Sequence, residues 1–123
     1  MTDDPRRRLG ASGEAAAAAW YEARGYEILD RNWRVREGEI DLVVRNRTVI
    51  VFCEVKTRSS DRFGIPAESV TASKQRRLRA LAAKWLAAHP ASRGESRGEV
   101  RFDVASVTPA GATPTVAVVE AAF

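Results

Sequence analysis

The sequence contains only one cysteine, Cys53, among its 123 residues, so no intramolecular disulfide can form. Such scarcity is typical of proteins in reducing compartments, and it predicts a cytoplasmic location. The chain also lacks a run of about 18 apolar residues, the length that a membrane-spanning helix needs, so we expect no membrane contact. The basic residues near the N-terminus are followed by alanines rather than by a longer apolar stretch, which argues against a signal peptide.

Acidic residues are fewer than basic ones, with 16 Asp and Glu against 20 Lys and Arg, and the net charge is +4. A mild positive charge fits a polyanionic partner without requiring one. The 45% of hydrophobic residues and the chain length suit one globular domain. We expect a flexible lead-in over residues 1–9 and a single domain over 10–123. Within that domain, a loop at 91–98 should be flexible because it carries the unit Ser-Arg-Gly-Glu twice in succession.

Hydrophobic periodicity and turn residues predict seven elements in the order α-β-β-β-α-β-β. The expected helices cover residues 12–24 and 71–89, and the expected strands cover 26–35, 39–45, 48–57, 100–107 and 115–119. This order predicts an α/β fold, a mixed sheet flanked by helices. The connection from the third strand through the second helix to the fourth strand is long enough for a right-handed parallel crossover.

The second and third strands form a predicted hairpin in which Asn46-Arg47 is taken as a two-residue turn. This turn pairs Asp41 with Phe52 and Glu39 with Glu54. Side chains alternate along a strand, so one face of the hairpin becomes entirely apolar. That face comprises Ile40, Leu42, Val44, Val49, Val51, Cys53 and Val55. The other face carries Glu39, Asp41, Glu54 and Lys56 at the end far from the turn.

These polar residues suit metal-assisted chemistry. Asp41 and Glu54 are diagonal neighbours with Cα atoms about 7–8 Å apart, and the opposed Glu39 and Glu54 need a cation between them. Lys56 could be that cation, and so could a divalent ion such as Mg²⁺, which takes oxygen ligands. Asp41, Glu54 and the backbone carbonyl of Val55 would bind the ion, and Lys56 would position a water molecule for phosphodiester hydrolysis. A salt-bridged cluster on a half-exposed face is the alternative interpretation.

The segments Gly38-Glu39-Ile40-Asp41 and Glu54-Val55-Lys56, separated by twelve residues, resemble the PD-(D/E)XK nuclease motif without its proline. With Gly13-Glu14 in the first helix, the chain is similar to archaeal-type Holliday junction resolvases. It resembles the small bacterial proteins of the YraN family (UPF0102) more closely, over about residues 10–108. Further motifs that carry this resemblance are Gly13-Glu14-Ala15-Ala16, Phe52-Cys53-Glu54-Val55-Lys56-Thr57-Arg58, Phe63-Gly64 and Arg101-Phe102-Asp103-Val104.

The resemblance implies a restriction-endonuclease-like fold and a site that uses Mg²⁺ or Mn²⁺. By position, Asp41 and Glu54 would hold the metal, Lys56 would act on the water, and Glu14 and Glu39 would add acidic groups. The implied substrate is DNA, structured or branched DNA included. The implied assembly is a homodimer, because junction resolvases cut two strands symmetrically. One related pattern, Gln-x-x-x-Tyr on the second helix, is not matched, since Arg79 follows Gln75.

Phosphate contacts are expected at basic residues around the second helix. These are Arg58, Lys74, Arg77 and Lys84, and a merely solvated helix surface is the alternative for the helical ones. Asp103 is expected to be an acid at the surface. Three functions remain open: a metal-dependent endonuclease, a nucleic-acid-binding module with weak or no cleavage, and an adaptor with a salt-bridged surface. The intact set of Asp41, Glu54 and Lys56 favours the first, because a binding module has no need of it.

Overall fold

The computed structural model describes residues 5–57, 70–93, 98–108 and 114–123, without the side chains of residues 5–11 and 93. Its helices are α1 (Pro5–Glu22) and α2 (Ala72–Ala88), and its strands are β1 (Glu27–Val35), β2 (Gly38–Arg45), β3 (Val49–Thr57), β4 (Glu99–Thr108) and β5 (Thr115–Val119). The predicted α/β architecture and its element order are confirmed, and they are consistent with a restriction-endonuclease-like fold. Within the described residues, neither helix is long and apolar enough to cross a membrane.

The first helix begins at Pro5, so the prediction that it begins at residue 12 is wrong. Proline suits the first turn of a helix, where its missing N–H would have no partner, and the arginines that follow are good helix formers. The helix therefore overlaps the predicted lead-in at 1–9. It ends before Gly25, which has the positive φ of 86° that glycine adopts readily.

Five strands form one sheet in the order β1-β2-β3-β4-β5. The β3–β4 pair is parallel, as the crossover through α2 predicts, and the other neighbours are antiparallel. One face of the sheet packs against α1 through Ala17, Ala18 and Tyr21. The opposite face packs against α2 through Leu78, Leu81, Ala82 and Trp85. The sheet is thus the middle layer, with α1 packed on one face and α2 packed on the other.

The turn between β2 and β3 differs from the predicted one. Val43 pairs with Phe52 and Arg45 with Ile50, so Arg47-Thr48 is the turn. The predicted Asn46-Arg47 turn is wrong by one residue, and the predicted strand partners are therefore wrong by two. Asn46 explains the shift, because its side-chain oxygen accepts hydrogen bonds from the backbone N–H groups of Thr48 (2.9 Å) and Val49 (3.0 Å). An even shift changes the partners but leaves most side chains on their predicted faces.

Alternation along β2 breaks at Asp41. Ile40 belongs to the cluster under α2, whereas Leu42 belongs to the cluster under α1, so the prediction that both share one face is wrong. On β1, Asn32 lies between the partners of these two residues and has a left-handed φ of 52°, which asparagine tolerates better than most residues. The side chain of Asp41 consequently lies in neither packed layer and reaches sideways towards β3.

Candidate active site

Asp41 marks the point where β2 and β3 separate. The β2–β3 pairing extends as far as Leu42 and Cys53. Beyond that pair, the backbone N–H of Val55 donates to Oδ2 of Asp41 at 2.8 Å. The carboxylate thus replaces a backbone acceptor, and this bond holds it in a defined position at the end of the hairpin.

The environment of Asp41 opposes its ionisation. Burial, followed by the charge of Glu54, raises the pKa of Asp41 to about 8. The Val55 N–H lowers this pKa, while the charges of Glu14 and Glu39 raise it further. A carboxyl group that gains negative neighbours and loses water favours either a proton or a cation. Strong perturbation of this kind is common at functional sites.

Three carboxylates converge beside the first helix. Glu14, Glu39 and Asp41 each place one carboxylate oxygen within 4.8 Å of an oxygen of the other two. Burial raises the pKa of Glu14, against a hydrogen bond with the Asn32 side chain that lowers it. Glu39 is additionally held by Arg34, whose Nε lies 3.0 Å from Oε2 of Glu39.

Gly13 allows α1 to bring Glu14 into this group. A Cβ placed on Gly13 would lie 2.0 Å from Oγ1 of Thr57 and 3.2 Å from its Cβ. Real Cβ atoms do not approach another atom at the shorter distance, so only glycine permits this approach of α1 to the end of β3. Gly13 therefore sets the position of Glu14 relative to the hairpin.

Glu54 lies in a second group, in which two lysines surround its carboxylate. Its Oε1 is 2.8 Å from Nζ of Lys74 on α2 and 3.3 Å from Nζ of Lys56. The Glu54 side chain is only 12% exposed, so these ion pairs are shielded from water. Burial lowers the pKa of Lys56, and the neighbouring Lys74 lowers it further. Burial also lowers the pKa of Lys74, but its hydrogen bond to Glu54 is among the opposing causes that raise it overall.

The predicted site residues therefore divide into two groups around Val55. Glu14, Glu39 and Asp41 form the acidic group, and Glu54 and Lys56 join Lys74 in the mixed group. The metal set expected from the sequence was Asp41, Glu54 and the Val55 carbonyl. In the structure, the N–H of Val55 donates to Asp41, and an Asp41 oxygen lies within 4.8 Å of oxygens of Glu14 and Glu39. The roles of these residues remain predictions.

The predicted phosphate contacts have different environments. Lys74 is engaged with Glu54, and Lys84 forms an ion pair with Glu37. Arg77 is exposed, and its Cδ lies 3.8 Å from the position that a Cβ on Gly38 would occupy. Arg58 lies outside the described residues, as do Phe63 and Gly64. Sequence reasoning missed Lys74 as a partner of Glu54, because the contact joins distant segments.

Sequence reasoning also missed Arg34 and Asn32. Arg34 could have been found by pairing β1 with β2 across the Arg36-Glu37 turn, because this register sets it opposite Glu39. Asn32 gave a weaker signal. Asparagine is enriched at positive φ, but its single occurrence in a strand does not predict a break in the alternation.

Asp103 is fully buried, so its predicted surface location is wrong. Its carboxylate accepts hydrogen bonds from the Tyr21 hydroxyl (2.7 Å), Arg101 Nε (2.8 Å), Arg101 Nη2 (2.9 Å) and the Ala121 N–H (3.0 Å). A buried carboxylate requires such partners. Asp103 therefore links α1, β4 and the C-terminal segment, and its role is structural.

Comparison with known proteins identifies the family. The model of the uncharacterised protein family UPF0102 matches residues 13–107, a range that contains both groups of the candidate site. A UPF0102 protein of Frankia casuarinae is 55% identical over 100 residues, which are 81% of each chain. Another, from Beutenbergia cavernae, is 54% identical over 85% of this chain and 86% of its own length. A third, from Anaeromyxobacter dehalogenans, is 47% identical over 98% and 87%. The chain belongs to the UPF0102 family.

Proposed function

We propose that this protein is a metal-dependent endonuclease that hydrolyses phosphodiester bonds in DNA, using Mg²⁺ or Mn²⁺. The observation that carries the proposal is the position of Asp41. Its buried carboxylate is fixed by Val55 beside the acidic pair Glu14 and Glu39, and the charge of Glu54 acts on it. Metal-assisted phosphodiester hydrolysis can use such a carboxylate centre to hold the ion and nearby ammonium groups to stabilise phosphoryl charge.

The residues present fit a hard divalent cation. Asp41, Glu14 and Glu39 offer carboxylate oxygens that are already close together, and such oxygens are the ligands that Mg²⁺ and Mn²⁺ prefer. A cation there would supply Lewis-acid stabilisation of phosphoryl charge and would lower the pKa of a water molecule. Burial and the charge of Glu54 raise the pKa of Asp41, and a bound cation would favour the ionised carboxylate and offset both effects.

The protein's own groups perform the remaining tasks. Asp41 keeps its orientation through the Val55 N–H, so the carboxylate does not have to reorganise when substrate binds. Lys56 and Lys74 place two ammonium groups next to Glu54. From there, Lys56 can orient a water molecule or donate a hydrogen bond to a phosphate oxygen, and Lys74 can hold Glu54 in place.

A nucleic-acid-binding module with weak or no cleavage is the second candidate. Phosphate binding alone needs exposed cations and gains nothing from a buried Asp41 beside other acids. Keeping four carboxylates near one another destabilises the fold, and catalysis gives such strain a function. Branched DNA as the substrate and a homodimer as the active form belong to the endonuclease proposal, and both are suggested only by the resemblance of the sequence motifs to those of junction resolvases.

The test is a cleavage assay with labelled duplex, flap, single-stranded and four-way junction DNA, each with Mg²⁺, Mn²⁺ or EDTA. We expect metal-dependent cutting of at least one DNA by the wild type and by Glu99→Gln, which changes an exposed acid distant from the site. Glu54→Gln should cut none of them. If no DNA is cut with either metal, the endonuclease proposal is overturned, and DNA binding by the same preparation would then favour the binding module.

A further inference from the structure

Two of the basic side chains first expected to contact DNA already have acidic partners in the described structure. Lys74 is paired with Glu54, and Lys84 is paired with Glu37. Arg79 lies over the Phe102 ring, with its guanidinium carbon 4.9 Å from the ring centre. The side of α2 on which Lys74 and Lys84 lie is therefore partly neutralised. A guanidinium group has five N–H donors, so an exposed arginine can bind a phosphate while one donor is engaged with a carboxylate.

Arginines of the edge strand β1 lie beside the acidic group. Arg34 contacts Glu39 with a side chain that is 73% exposed. Arg31 lies opposite Leu42, whose side chain belongs to the cluster under α1, so Arg31 is on the side of the sheet that faces Glu14. Burial raises the pKa of Glu14, and the charges of Arg34 and Arg31 lower it. One face of each guanidinium can still meet a ligand, since both residues are exposed.

The irregular backbone of β1 explains this arrangement. Arg31 and Arg34 are three residues apart, and a regular strand would direct them to opposite faces of the sheet. Asn32 lies between them with a φ of 52°, and this left-handed residue breaks the alternation. The same distortion faces Asp41 on β2, so one irregularity places both the carboxylate and the arginines.

Arg77 reaches the same region from the other layer. Its side chain passes beside Gly38, the residue immediately before Glu39. Arg34 and Arg77 thus flank the start of β2 from β1 and from α2, and Arg31 lies further along β1, opposite Leu42. We call this set the arginine rim.

A polyanion would be repelled by four carboxylates unless cations surround them. Phosphates follow one another along each DNA strand, so a strand with one phosphate at Asp41 would extend past the Glu39 side of the acidic group, where Arg34 lies. Guanidinium groups match phosphate oxygens with two parallel hydrogen bonds. We propose that the arginine rim binds the backbone phosphates of duplex DNA on both sides of the bond to be cut. This inference rests on the proposed function for the location of that bond.

The test measures binding to a labelled duplex in EDTA, with Asp41→Asn as the background so that no DNA is cut. In that background, Arg31→Ala/Arg34→Ala is compared with Arg24→Ala/Arg47→Ala, which removes the same charge from exposed residues away from the site. We expect Kd to rise at least about tenfold for the rim double variant, with a salt slope smaller by about 1.8. The control pair should change Kd less than about threefold, because a non-contacting charge releases few counterions. Adding Arg77→Ala to the rim variant should weaken binding further.

An equal loss of affinity in both double variants, an unchanged Kd in the rim variant, or no DNA binding by the background protein would overturn the arginine rim. This result is separable from the fate of the endonuclease proposal, because binding is measured without metal and without cleavage. A wild type that cuts DNA while the rim variant binds normally would refute the rim alone. A wild type that cuts nothing while the rim variant loses affinity would refute hydrolysis alone.

Discussion

The backbone N–H of Val55 and the carboxylate of Asp41 are joined by a hydrogen bond of 2.8 Å at the point where two neighbouring strands separate. This bond gives Asp41 two roles. It satisfies the Val55 N–H on the side of β3 that faces β2, and it holds a carboxyl group beside Glu14 and Glu39, where burial and negative neighbours oppose its ionisation.

The stability of the metal-free protein should fall as the pH rises from about 4 to about 8. The pKa of Asp41 is about 8 in the folded protein, against 3.8 for the free side chain. Between these values the folded state keeps a proton that the unfolded state has released, so unfolding becomes more favourable as the pH rises. We expect Tm in EDTA to drop by about 4 °C or more between pH 5 and pH 8.5.

Asp41→Asn is the control for this profile, since an amide does not titrate. Its Tm should change much less across the same range. Mn²⁺ should raise the Tm of the wild type more at pH 8.5 than at pH 5.5, because the cation replaces the proton. A wild-type profile as flat as that of the variant would show that Asp41 ionises normally.

Gly13→Ala should destabilise the protein by about 1–3 kcal/mol, the range for steric overpacking. Helix propensity alone predicts the opposite sign, because alanine is the better helix former by about 1 kcal/mol. The cause is the contact with Thr57, and displacement of α1 should also move Glu14 and reduce cleavage. Urea unfolding and a cleavage assay measure the two effects.

Thr57→Ala provides the matched rescue of Gly13→Ala. It removes Oγ1, the atom that a Cβ on Gly13 would meet at 2.0 Å, but keeps the Thr57 Cβ at 3.2 Å. The double variant should therefore regain part of the stability and activity. No recovery in the double variant would mean that the glycine is required for another reason.

Lys74→Met should destabilise the protein more than Lys84→Met. Lys74 pairs with Glu54, which is 12% exposed, whereas Lys84 pairs with Glu37 on an exposed surface. Removing a partner from a shielded carboxylate costs more than removing an exposed ion pair, which contributes about 0–1 kcal/mol. We expect a loss of about 1–3 kcal/mol for Lys74→Met in urea unfolding. Equal losses would contradict the shielding of Glu54.

Asp103→Asn should lower stability by about 3 kcal/mol or more without altering the metal response. Its carboxylate is fully buried and accepts hydrogen bonds from Nε and Nη2 of Arg101 and from the Tyr21 hydroxyl. Breaking a buried charged network is expensive, but this network lies apart from Glu14 and Glu39. The rise in Tm on adding Mn²⁺ should match that of the wild type. A lost metal response would move the site towards Asp103.

Sequence patterns predicted the fold well because its elements have strong local signals. The apolar positions of α2 repeat at helical spacing, and the parallel crossover follows from the length of the connection. The hairpin register was missed by two residues because the Asn46 side chain decides which pair forms the turn. Length and spacing alone do not distinguish these two turns.

The candidate site was predictable in its residues but not in its arrangement. Asp41, Glu54 and Lys56 stand out through charge on an otherwise apolar hairpin. Their division into an acidic and a mixed group depends on the positive φ of Asn32 and on the approach of α1 at Gly13. The φ of Asn32 is a backbone conformation that asparagine permits but does not require, and the approach at Gly13 is a contact between segments distant in sequence. The ion pair of Lys74 with Glu54 was equally hard to predict, because α2 is distant from β3 in the sequence.

The most direct test of the central claim is the metal-dependent cleavage of labelled DNA by the wild type and Asp41→Asn, with Tm measured on the same samples. Asparagine keeps the size of the side chain and can still accept the Val55 hydrogen bond, but it is a poor ligand for a hard cation. We expect the variant to be folded and more stable in EDTA at pH 8, by about 1–3 kcal/mol. Its cleavage rate in Mg²⁺ or Mn²⁺ should be at least about a hundredfold lower. Cleavage by Asp41→Asn at the wild-type rate would contradict the account.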